Sequence, residues 1–130
     1  MRLEEVRYLM REQIRGQAIY ARREILTYLV RDRDMPLAWF TEGSRTPKIA
    51  WWRMFAVYLT AEICSRAWVA VAEAWRIDHT TVMHAHRKFN KLLDDGDTAV
   101  QYEIVEFHDH QQRKHRLTGR ADAHSSASEI

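Results

Sequence analysis

Cysteine is almost missing from this chain: Cys64 is the only one in 130 residues, so no internal disulfide can form. It lies in the apolar run MFAVYLTAEIC, where a thiol reads most simply as a small buried hydrophobe in a reducing compartment. Glycine and proline are scarce, four and two, and β-branched runs are absent, which argues against strands and for an all-α chain with short connections. Gly16, Gly43, Gly96 and Gly119 are isolated, so there is no G-x-x-x-x-G-K-S/T loop to hold a nucleotide. No Ser-His-Asp or Cys-His constellation stands out, no basic residue adjoins Cys64 to activate it, and neither an enzyme nor a cofactor is expected. The N-terminal MRLEEVRYLMREQ is broken by charge where a signal peptide needs an apolar stretch. No segment approaches the ~18 apolar residues of a membrane span, so a cytoplasmic protein without a membrane partner is expected.

What is present fits one soluble unit. Hydrophobic residues make up 46% and charged residues 29%, enough to build a core and too apolar for a disordered chain. The formal net charge of +2 says little, but its distribution says more. Arg45, Lys48, Arg53, Arg66, Arg76, Arg87, Lys88 and Lys91 outweigh Glu62, Glu73 and Asp78 in the middle of the chain, and acid gathers after it, from Asp94 to Asp109.

Six helical segments can be drawn. The first, from about Leu3 to Arg31, sets Ile14, Ala18, Ile25 and Tyr28 or Leu29 on one side, with Leu3, Val6 and Met10 continuing the stripe; Gly16 is a candidate break. Pro36 ends it and opens a short helix, Leu37 to Phe40. Thr46-Pro47 is the start signal of a central helix reaching about Cys64, its buried side running from Ile49 to Ile63. Ser65 is placed to cap a helix from about Ala67 to Trp75 that turns Val69, Ala72 and Ala74 or Trp75 inward. Asp78 caps a helix to Leu93, and Asp97 caps a last one from Thr98 to about Arg116, before a polar tail expected to be disordered. Trp51, Trp52, Trp68 and Trp75 fall at helical spacing and are expected in the core.

On the helix from Asp78, Val82, Ala85 or His86 and Phe89 share one face. His79, Thr80, Thr81, His84, Arg87, Lys88 and Lys91 are left on the other. His79, His84 and His86 lack the four-residue spacing of helical metal ligands, so no metal is expected. His86, nearer the core side, reads as an imidazole satisfied by a nearby carbonyl. A short helix, a tight turn at Arg76-Ile77 and a second helix with exposed hydroxyls, imidazoles and guanidinium have the layout of a helix-turn-helix, whose second helix enters the DNA major groove by its N-terminal end. Threonine methyls suit thymine methyls there, and later arginines and lysines suit phosphates.

The run DHTTVMHAHRKF resembles the signature of the C-terminal DNA-binding domain of the bacterial replication initiator DnaA, which runs G-R-D-H-T-T-V-x-H-A, a variable residue, then R-K-I. Asp78, His79, Thr80, Thr81, Val82, His84, Ala85, Arg87 and Lys88 match. PLAWF, TPKIAWWRMFAVYLTAEI and DTAVQYEIVEF resemble, in order, the family's short, central and closing helices. The resemblance implies that Asp78, His79, Thr80, Thr81 and His84 lie at the major-groove surface, with Arg87 and Lys88 near phosphates. The family's minor-groove arginine, carried on a basic loop, would correspond to Arg45 or Lys48. The chain departs from the pattern at Ile77, where the family has arginine, in a turn that reads one residue shorter, and in the loop TEGSRTPK, thinned of basic residues and carrying Glu42.

The expected architecture is therefore a compact all-α helical bundle: an N-terminal helical extension over 1–33, a DnaA-like helix-turn-helix domain over 34–116 and a tail over 117–130. The expected function is sequence-specific duplex DNA binding in replication control or transcription regulation, by a nucleoid-associated protein without an ATPase module. The alternative is an adaptor that meets the replication initiator or its regulators through the N-terminal helix. A homodimer through that helix fits either.

Overall fold

The computed structural model describes residues 2–129, with side chains placed up to residue 114, and among the described residues it contains helices and no strand. The helices are α1 (Leu3–Thr27), α2 (Ala38–Thr41), α3 (Pro47–Ile63), α4 (Trp68–Trp75), α5 (His79–Asp94) and α6 (Thr98–Glu129). The chain divides into two units, Met1–Lys91 and Leu92–Ile130. The expected tail at 117–130 has its side chains outside the described residues.

In the first unit α3 is central, with α1, α2 and α4 packed against it and α1 also against α4. Its second half is buried all round, from Phe55 to Ala61, as befits a helix apolar on every side. Trp51, Trp52, Phe55 and Tyr58 meet Phe89 of α5 in one aromatic cluster, with Phe55 and Phe89 at 5.5 Å. Trp75 is buried and donates its indole N–H to Thr60 Oγ1 at 2.9 Å, tying α4 to α3. Trp51, Trp52 and Trp68 are only half-buried.

α1 runs through Gly16 without a break and loosens at its end into a π-helical turn, Tyr28–Asp32. Ala18, Ala21, Ile25, Tyr28 and Leu29 form its buried face. The expected continuation of that face does not hold: Leu3, Val6, Met10 and Ile14 are exposed. Arg33 closes the segment, its guanidinium 5.6 Å from the Trp52 ring and donating to Tyr28 Oη at 3.2 Å.

The start of α3 falls at Thr46-Pro47 as expected, and three expectations further on are corrected. Thr46 is the N-cap of α3 by position, with Pro47 first in the helix, but its side chain makes no capping bond. Ser65 caps nothing: Ser65 and Arg66 both take positive φ, 51° and 63°, and backbone bonds such as Arg66 N–H to Ala61 O at 2.8 Å close the turn. The turn rotates α4 so that Val71, not Val69, is buried. Ile63, at the end of α3, is exposed as well.

The second unit opens at the close of α5. Gly96, at φ 81°, supplies the left-handed residue that ends the helix, and its N–H reaches Leu93 O at 3.0 Å. Asp97 then caps α6, its Oδ1 accepting the Val100 N–H at 3.0 Å.

Candidate nucleic-acid interface

The turn between α4 and α5 sets the geometry of the surface. Arg76 sits at the left-handed position after α4, φ 56° and ψ 47°, and the Ile77 N–H reaches back to Ala72 O at 3.0 Å. This is the closure that glycine usually provides. Two residues later Asp78 starts α5: its Oδ1 accepts both the backbone N–H of Thr80, at 2.8 Å, and the Thr80 hydroxyl, at 2.6 Å. These two bonds, helped by His79, hold the Asp78 carboxyl below the usual carboxylate range.

The bond to the hydroxyl decides what Thr80 can offer. Its proton is committed to Asp78, so Thr80 presents a methyl group and an accepting oxygen outward. Asp78, His79, Thr80, His84, Arg87, Lys88 and Lys91 are all exposed, and Thr81 is half-buried. The opposite face, Val82, Ala85, His86 and Phe89, is buried. The amphipathic split read from the sequence is therefore the one the helix has.

What fixes α5 against α3 is a chain of polar contacts behind that face. Tyr58 Oη donates to Asn90 Oδ1 at 3.4 Å, Asn90 Nδ2 lies 3.1 Å from His86 Nδ1, and His86 Nε2 lies 2.5 Å from Glu62 Oε1. With the amide oxygen facing tyrosine, its NH2 donates to Nδ1, leaving Nε2 to donate to the carboxylate. His86 thus finds a carboxylate rather than the expected carbonyl. Its ring also packs edge-on against Trp68 at 5.1 Å. Burial, and then the negative charge of Glu62, push the Tyr58 phenol up to about 12.

The loop before α3 approaches the same side of the unit. A groove of about 460 Å³ is lined by Glu42 and Gly43 of the loop, by Arg76 and Ile77 of the turn and by Thr81 of α5, with Arg22 and Arg53 also on its wall. Arg53 holds the loop's base, donating through Nε and a terminal nitrogen to Trp39 O at 3.1 and 2.9 Å. Lys48 lies over the Trp39 ring at 5.6 Å, whereas Arg45 is exposed in the loop. Arg22, Arg53 and Arg76 were not singled out as site residues by sequence reasoning. Arg22 lies a helix away in the chain, and the only signal for Arg76 was its place in the turn.

No three His, Cys, Asp or Glu side chains among the described residues gather to hold a metal ion. Nor, among those residues, is any helix long and apolar enough to cross a membrane. Residues 34–89 match the model of a family described as the bacterial DnaA protein helix-turn-helix. That span takes in α2, α3, α4 and α5 as far as Phe89, and leaves out α1 and α6. No solved structure matches the chain.

Proposed function

We propose, on the premise that residues 34–89 are a helix-turn-helix of the bacterial DnaA type, that the chain binds double-stranded DNA sequence-specifically and acts in replication control or transcription regulation. The observation that carries this reading is the outer face of α5, where a capped N-terminus presents Asp78, His79, Thr80 and His84 together and exposed. A recognition helix reads base edges with its N-terminal residues. Asp78 and Thr80 present acceptors suited to the N–H groups of cytosine or adenine, and the Thr80 methyl suits a thymine methyl. Arg87, Lys88 and Lys91, further along, are the phosphate contacts. Thr81, half-buried beside the groove, buttresses the turn and meets the backbone. Arg45 is the residue for the minor groove; Lys48, over Trp39, braces the loop and adds charge.

Replacing Thr80 or His84 by alanine is expected to cost about 1–3 kcal/mol on the preferred site, with specificity relaxed at one position. Sites selected from random duplexes, followed by a fluorescence titration of each variant, measure this; unchanged affinity in both sinks the assignment.

A second reading is supported by two features: Glu42 puts negative charge on the rim of the groove, and the exposed apolar residues of α1 lie outside the family's span. In that reading α1 engages a protein, the replication initiator or one of its regulators, and DNA binding is weak. A titration at two salt concentrations separates them, since a tight site with a steep salt slope belongs to the first reading only.

A further inference from the structure

We infer that the groove bounded by α1, α3, the loop before α3 and the turn before α5 binds a small organic anion, an oxyanion such as a carboxylate, sulfonate or phosphate ester carried on an apolar body. The site is separate from the outer face of α5 and does not depend on what that face reads. Its charge is the first argument. Arg22, Arg53 and Arg76 stand on its wall against a single carboxylate, that of Glu42, which is exposed. Among the described residues none of the three guanidinium groups is in an ion pair, with Glu42 or with any other acid.

Arg22 is the least compensated of them. It is half-buried and lines the groove, yet its Nε is buried and has no hydrogen-bond partner. A guanidinium has only donors, and taking one out of water without an acceptor is costly. A buried donor left so calls for an explanation, and a bound ion is one of the usual ones. Because Nε itself is covered, an oxyanion in the groove answers Arg22 first through its charge, in a field that apolar walls strengthen. Arg53 gives Nε and one terminal nitrogen to Trp39 O, which holds its fork in place and leaves the other terminal nitrogen as a donor. The apolar body follows from the rest of the lining. Leu26, Phe40, Met54, Val57 and Trp75 share the wall, and a bare inorganic ion or a DNA phosphate would leave them uncovered. The volume of about 460 Å³ lies within the range of small-molecule sites. A larger groove between α1 and α4, about 630 Å³, sets Arg11 and Arg15 against Glu12 and Glu73, with Arg15 already 3.8 Å from Glu73. Charge is balanced there, so that groove selects no anion.

The probe is anilinonaphthalene sulfonate, titrated by fluorescence into the full chain beside phenylnaphthylamine, which has the same rings and no charge. Arg22→Gln should weaken binding of the sulfonate about tenfold and leave the neutral probe unchanged. Arg76→Gln, on the exposed side of the wall, should weaken the sulfonate by a smaller factor, and Arg15→Gln, in the charge-balanced groove, should not change it. Equal sulfonate affinity in the wild type, Arg22→Gln and Arg76→Gln overturns the site. So does a loss shared by both probes, or one produced by Arg15→Gln. If Arg22→Gln lowers affinity for the selected duplex with no probe present, the cations serve the DNA backbone and the small-anion assignment fails.

Discussion

Arg76 carries conformational strain at the turn that sets the direction of α5. A side chain other than glycine in the left-handed region costs about 1–2 kcal/mol, part of which glycine gives back through the entropy of the unfolded chain. Arg76→Gly is therefore expected to stabilise the fold by about 0.5–1 kcal/mol and raise the melting temperature by roughly 2–4 °C, as scanning calorimetry would show. A lower melting temperature would mean that the arginine side chain holds the turn by contacts stronger than the strain. Asp78 is the opposite case, a residue suited to its place. Its lowered carboxyl pKa means that its contribution is fully present above the ordinary carboxylate range and is lost as pH falls through the lowered value. Asp78→Ala should melt below the wild type at neutral pH, and the difference should narrow in acid. The sequence makes Asp78 readable because aspartate before an amphipathic run is a capping signal in its own right. It does not mark Arg76, because the usual sign of a left-handed residue is glycine and none stands there.

At the level of the helices, the contact between α3 and α5 rests on aromatic packing and on the polar chain through His86. Truncating His86 to alanine removes the ring beside Trp68 and leaves Asn90 without its acceptor. A loss of about 2–3 kcal/mol is expected in urea denaturation, with weaker DNA binding as a consequence of a displaced helix. A change below 0.5 kcal/mol would show that the chain of contacts is dispensable. The helices themselves were readable from periodicity, and α3, α4 and α5 fall close to where their start and stop signals put them. Which apolar residues are covered was less so. In α4 nearly every residue is apolar, so Val69 and Val71 cannot be ranked by pattern, and the left-handed pair at Ser65 and Arg66 decides between them. In α1 a regular stripe says which face is apolar, and nothing in it says where the packing partners end.

For the molecule as a whole, pH and salt are the levers. Tyr58 keeps its proton to about 12 when folded, whereas an unfolded tyrosine releases it near 10. Its contribution to stability is complete below about pH 10 and is lost as pH rises towards 12. Tyr58→Phe should keep stability over that interval that the wild type loses, which denaturation at stepped alkaline pH measures. Salt acts on the other face. If Lys48, Arg87, Lys88 and Lys91 each neutralise one phosphate, DNA affinity should drop roughly a hundredfold between 50 and 200 mM salt. A drop of less than about tenfold would mean that α5 meets the duplex with few of them. These basic residues and their face were readable from the chain. The meeting of Glu42, Arg22 and Thr81 in one groove was not, because it brings together three elements separated in sequence.

The contacts behind α5 also have a direction. From Tyr58 through Asn90 and His86 to Glu62 each hydrogen points the same way, out of the core and towards the carboxylate at the surface. Asn90 is the element that sets this sense, since its amide has a fixed acceptor at one end and a fixed donor at the other, whereas the imidazole can take either tautomer. Aspartate there keeps the shape and destroys the polarity, turning an acceptor onto the acceptor nitrogen of the imidazole. A change that leaves the outline of the side chain untouched would thus break the row at the imidazole, while the tyrosine goes on donating, and would loosen the seat of α5.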